Sequence, residues 1–101
     1  MFIEESSKKT FDFYIKMLKN RKIKSIDYSG DENKTLSLEH VLFMCEKCSK
    51  SIDVKNRKSS MSVDKYSRWM GFVQAVLIMH KLTTVEDERN RTRPWLNGET
   101  K

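Results

Sequence analysis

With 101 residues, 38% of them hydrophobic and 34% charged, the chain is long enough for one hydrophobic core and too short for two. It reads as a single domain over residues 1–101, with no room for a deep catalytic cleft of its own. Three glycines and one proline disfavour a turn-rich β-sandwich and predict a mainly α domain of three to four helices with a charged surface. The net charge of +6 favours an anionic partner, whether nucleotide, nucleic acid or acidic protein surface, and is equally compatible with lysines that keep a small protein in solution.

In chain order, the first predicted element is an amphipathic helix from Glu4 to about Asn20. Ile3, Ser7, Phe11, Tyr14 and Leu18 recur on one face, and Phe13 and Met17 widen it. The acids Glu4 and Glu5 stand where a signal peptide carries positive charge, so a cytoplasmic protein with reduced thiols is expected. In residues 22–28, Ile23, Ile26 and Tyr28 follow neither period long enough to decide between a short β segment and a helical extension. Ser29 to Lys34 is a turn, completing an N-terminal helix-and-turn unit over residues 1–34, ahead of a helical core spanning 35–96.

Ser37 is the predicted cap of a second helix reaching about Lys50, with Leu38, Val41, Leu42, Cys45 and Cys48 inward and Phe43 and Met44 broadening that face. Residues 53–60, carrying Lys55, Arg57 and Lys58, read as an exposed connection. Ser62 caps a third helix that is apolar around most of its circumference from Trp69 to Met79; such a helix needs cover on several sides, so a homo-oligomer is expected. That eleven-residue run includes Gln74 and falls short of the ~18 uncharged apolar residues of a bilayer span, so no membrane association is expected. Gln74 needs a partner if it is buried. Thr83 with Glu86, or Thr84 with Asp87, caps a short fourth helix expected to stop near Arg93, because Pro94 pushes its predecessor out of helical backbone. Residues 97–101 form a polar tail.

No nucleophile elbow, zinc-protease helix, P-loop or Gly-rich dinucleotide turn is present, so a non-enzymatic protein is expected, without cofactor. Cys45 and Cys48 form a C-x-x-C pair past the middle of a helix, where no N-terminal dipole lowers a thiol pKa. Together with His40 and His80 they offer a Cys₂His₂ zinc set only if two helices pack side by side, and buried thiols are the favoured reading.

The suggestive chemistry is cationic and aromatic. Lys65 and Arg68 flank Tyr66 and Trp69, while Arg89, Arg91 and Arg93 precede Trp95; guanidinium and ammonium groups beside ring faces suit phosphate and base together. These eight residues form the candidate ligand site, weighed against arginines that merely pair with Glu86, Asp87 or Glu88. Two lysine-rich clusters, Lys16-Lys19-Arg21-Lys22-Lys24 and Lys55-Arg57-Lys58, offer the alternative of a nucleic-acid track.

The strings Arg68 to Leu77, Thr83 to Arg89 and Arg91 to Pro94, with Leu38 to Glu46 before them, resemble small helical proteins of tailed bacteriophages over about the C-terminal two-thirds of the chain. That resemblance implies an accessory protein acting in the host cytoplasm. It further implies antagonism of a host protein or an antiviral defence by stoichiometric binding, in one form by sequestering a nucleotide signal in a helical oligomer.

Overall fold

A computed structural model describes residues 3–96, with side chains through Thr92. Four helices, α1 (Ile3–Asn20), α2 (Leu38–Ser51), α3 (Val63–Met79) and α4 (Val85–Leu96), carry a two-stranded hairpin, β1 (Ile52–Asp53) and β2 (Lys58–Ser59), between the second and third. The mainly helical reading therefore holds, with helix limits within a few residues of those expected. No helix among the described residues is long and apolar enough to cross a membrane.

The core lies where α1 packs on α2 and α2 on α3. Phe11, Tyr14 and Leu18 supply it from α1, Val41, Leu42, Cys45 and Cys48 from α2, and Tyr66, Met70, Val73 and Leu77 from α3. Each set recurs at three- and four-residue steps, so each helix turns one stripe inward. On α3 the outward positions include Gly71 and Ala75, which are small, so much of its apolar girth is already hidden inside the single chain. Met79 is an exception at 54% exposure.

Capping follows the expected serines. Ser37 Oγ accepts the His40 amide at 3.2 Å, Ser62 Oγ accepts the Lys65 amide at 3.1 Å, and Thr84 Oγ1, rather than Thr83, accepts the Asp87 amide at 3.1 Å. The helix ends share a device the sequence did not advertise with glycine. At the end of α1 the Ile23 amide bonds Leu18 O at 3.1 Å and the Lys22 amide bonds Lys19 O at 2.9 Å. At the end of α3 the Leu82 amide bonds Leu77 O and the Lys81 amide bonds Ile78 O, both at 2.9 Å. These are Schellman closures in which a lysine takes the left-handed position, with φ of 63° at Lys22 and 62° at Lys81. The strain is offset by the following Ile23 or Leu82, which packs against the core.

One open alternative is decided and two expectations need correction. Residues 22–28 form no strand: the segment runs without a ladder partner and uses acceptors on α2 instead, the Ile26 amide bonding Glu39 O at 3.2 Å. The β structure lies in the supposed connection, where Ile52 pairs with Ser59 and Asp53 with Lys58. Asp53 makes that turn possible by accepting both the backbone and side-chain N–H groups of Asn56. Finally, α4 continues through Pro94 to Leu96. A proline this close to a helix end interrupts only the last turn, and here helical backbone survives it.

Candidate functional site

Of the eight candidate residues, the structure gathers three. Lys65, Arg68 and Trp69 lie on the side of α3 that meets α2, beside a cleft of about 380 Å³ lined by Thr35, His40, Met44, Arg68, Trp69 and Phe72. The half-buried Trp69 ring has the Lys65 ammonium 5.6 Å from its centre and the Lys47 ammonium, contributed by α2, at 5.9 Å. Both distances are within cation–π range. Lys47 lies equally close, at 5.9 Å, to the Phe43 ring one turn earlier on its own helix. Arg68 reaches solvent, with 71% of its side chain exposed, and its ion pair among the described residues is an open contact to Asp64 at 3.5 Å. A pair this exposed contributes little to stability and yields readily to another anion.

His40 closes the α2 side of the cleft. It is 7% exposed, its ring stacks on Phe43 at 5.7 Å, and its Nδ1 accepts the Tyr28 amide at 3.0 Å. Its sequence position flagged it only as a zinc candidate. Among the described residues no three of His, Cys, Asp and Glu gather as a metal set. His80, the other histidine of the imagined set, instead meets Leu36 O at 3.0 Å. The two thiols are core groups: burial, reinforced by Cys48 and Glu46, pushes Cys45 well above the usual thiol range, and burial drives Cys48 to about 12.

The remaining candidates separate. Tyr66 is completely buried, because it shares the inward stripe of α3 with Met70 and Val73, and so is not a surface for ligand stacking. Arg89 lines a different cleft, about 250 Å³, between α3 and α4 with Gln74, Ile78, Val85, Glu88 and Thr92. The side chains of Arg93 and Trp95 lie outside those described.

Arg91 is committed elsewhere. Its guanidinium forks onto Glu88 with bonds of 3.3 and 3.1 Å and covers the Phe13 ring at 4.0 Å. Glu88, only 4% exposed, also accepts the Thr83 hydroxyl at 2.6 Å and the Tyr14 hydroxyl. Tyr14 Oη in turn accepts Gln74 Nε2 at 3.1 Å, which answers the need of that glutamine for a partner. Burial alone would raise the Glu88 pKa, but the bonds from Arg91, Thr83 and Tyr14 outweigh it and hold the carboxyl below its usual range. Burial, with the neighbouring carboxylate, pushes the Tyr14 phenol far above its ordinary value. The knot fastens α4 to α1 and α3 and commits the Arg91 guanidinium to Glu88.

The basic clusters also divide. Lys19 pairs with Glu46 across α1 and α2 at 3.3 Å. Lys16 and Arg21 line a cleft of about 500 Å³ together with Phe13, Met17 and Asn20, and Phe13 is 45% exposed there. Lys55 and Arg57 line another with Glu4 and Glu5, whose charges offset theirs.

Compared with known protein families, with curated proteins and with solved structures, the chain has no significant match in any of the three. Function must therefore be argued from these side chains.

The residues that sequence reasoning missed are His40, Phe43, Lys47 and Phe72. One signal was available: Phe43 with Lys47, and Lys65 with Trp69, are both aromatic–lysine pairs four residues apart, on faces of consecutive helices. Their convergence needed the packing of α2 against α3.

Proposed function

We propose that this chain is a binding protein and not an enzyme, and that the α2–α3 cleft holds a planar anionic ligand of the nucleotide class. The reading rests on one observation: Trp69, at the edge of an open cleft, has two ammonium groups 5.9 and 5.6 Å from its ring centre, with the solvent-facing Arg68 beside it. An indole face can stack on a base, and the surrounding cations suit phosphate. Catalysis has no comparable support. Ser49, the serine held by charged groups, accepts Lys8 Nζ at 2.9 Å and donates to Asp12, and it is 6% exposed where it ties α2 to α1. A binder of this kind acts by occupancy, in the manner of the phage accessory proteins it resembles, by withdrawing a nucleotide signal from a host process.

The test uses a Trp95→Phe background, in which Trp69 is the sole tryptophan. A nucleoside monophosphate should quench its fluorescence saturably, with a shallow salt dependence, and Lys65→Ala with Arg68→Ala should remove the effect. No quenching by any nucleoside monophosphate would sink the proposal.

A second reading, single-stranded nucleic-acid binding, is favoured by the half-exposed Phe13 beside Lys16 and Arg21. It predicts binding of an oligothymidylate that weakens steeply with salt, through counterion release, and that survives loss of Arg68.

A further inference from the structure

The recognition chemistry of the α2–α3 cleft is set by which nitrogen of His40 carries a proton. A backbone amide can only donate. Because the Tyr28 N–H points at His40 Nδ1 at 3.0 Å, that nitrogen must present its lone pair. In the neutral ring the proton then belongs to Nε2. The main chain thus chooses the tautomer. The ring cannot easily turn over to exchange its nitrogens, since it is 7% exposed and stacked on Phe43 with an interplanar angle of 28°. The imidazole, which lines the cleft, therefore carries a fixed N–H donor at Nε2.

The other polar side chains lining the cleft extend that bias. Arg68 can only donate, Thr35 can do either, and the remaining lining residues, Met44, Trp69 and Phe72, bring no carboxylate or amide oxygen. A ring edge carrying acceptors would meet partners there. An amino group in place of the carbonyl that faces the donor would set N–H against N–H and leave both unpaired on leaving water.

Resting on the nucleotide reading above, we propose that His40 Nε2–H is a specificity-determining donor that selects oxopurine nucleotides over aminopurine nucleotides. The roles divide cleanly: Trp69 stacks on the ring system, the cations hold the phosphate, and His40 reads the carbonyl edge. Since the wrong edge leaves a polar group unsatisfied, the preference should be about tenfold.

The experiment is calorimetric titration of inosine monophosphate and adenosine monophosphate into the wild-type protein, His40→Asn and His40→Gln. Asparagine places an amide oxygen near the position of Nδ1, so it can keep the Tyr28 bond while removing the Nε2 donor. Glutamine extends an amide N–H toward the position of Nε2. The wild type should bind the inosine nucleotide about tenfold more tightly. His40→Asn should bind both nucleotides equally, and His40→Gln should recover part of the preference. Equal wild-type affinities, or a preference that persists in His40→Asn, would overturn the role of His40 while leaving the cleft as a nucleotide site. Failure of the wild type to bind either nucleotide would overturn both. Should His40→Asn not fold, long-range ¹H–¹⁵N NMR of the wild-type ring decides the matter independently: a proton on Nε2 supports the inference, and one on Nδ1 ends it.

Discussion

The knot around Glu88 and the cleft around Trp69 are built from nearly the same stock of groups, an arginine, a carboxylate and aromatic rings, yet they leave their arginines in opposite states. In the knot, Arg91 has a bidentate carboxylate on one side and the Phe13 ring on the other, and Glu88 is almost fully buried. In the cleft, Arg68 meets a single carboxylate that is itself 85% exposed, and the Trp69 ring is half open. A cation beside an aromatic ring is thus an incomplete description. What separates a structural clamp from an available cation is whether a buried acid of the same chain has already satisfied the charge.

That contrast can be broken experimentally, and the largest effect should come from the knot. Glu88→Ala should cost about 3 kcal/mol in urea unfolding, because it strands Arg91, the Tyr14 hydroxyl and Thr83 together. A loss under about 0.5 kcal/mol would place the knot with ordinary surface pairs. Acid should act on the same group. Since the folded-state pKa of Glu88 is lowered from 4.5, its contribution is complete above that value and is lost as pH falls through the lowered pKa. Urea midpoints measured across that range should therefore fall less in Glu88→Gln than in wild type.

Tyr14→Phe sharpens the comparison at intermediate size, with an expected loss of about 1–2 kcal/mol, since it removes one bond to the carboxylate and leaves Gln74 without its acceptor. The smallest effect on folding should come from Arg68→Ala, below about 0.5 kcal/mol by thermal or chemical unfolding, while nucleotide binding weakens. A large folding defect in that variant would mean that the cleft is also structural.

Much of the architecture was legible in the residues. The spacing of Phe11, Tyr14 and Leu18 and of Val41, Leu42, Cys45 and Cys48 marks inward faces, and Ser37 and Ser62 mark starts, because helical period and capping are local properties. The residues were silent where a local rule met a tertiary partner. Ile23, Ile26 and Tyr28 follow neither period long enough to decide, and the amides of Ile26 and Tyr28 find acceptors on α2. The helix stops at Lys22 and Lys81 lacked the glycine that usually announces them, although Leu18-Lys22-Ile23 and Leu77-Lys81-Leu82 share one spacing.

By itself, then, the sequence determined the helical class, the caps, the inward stripes and the basic, aromatic character of the α3 surface, since each depends on residues within a turn or two of one another. Only the tertiary structure decided which of the candidate cations remain available. Lys65 and Arg68 stay at the surface beside Trp69, Arg91 is taken by Glu88 and Phe13, and Lys47 and His40 arrive from another helix. Availability depends on whether a partner from elsewhere in the chain has met the charge and excluded water, and no local pattern encodes that.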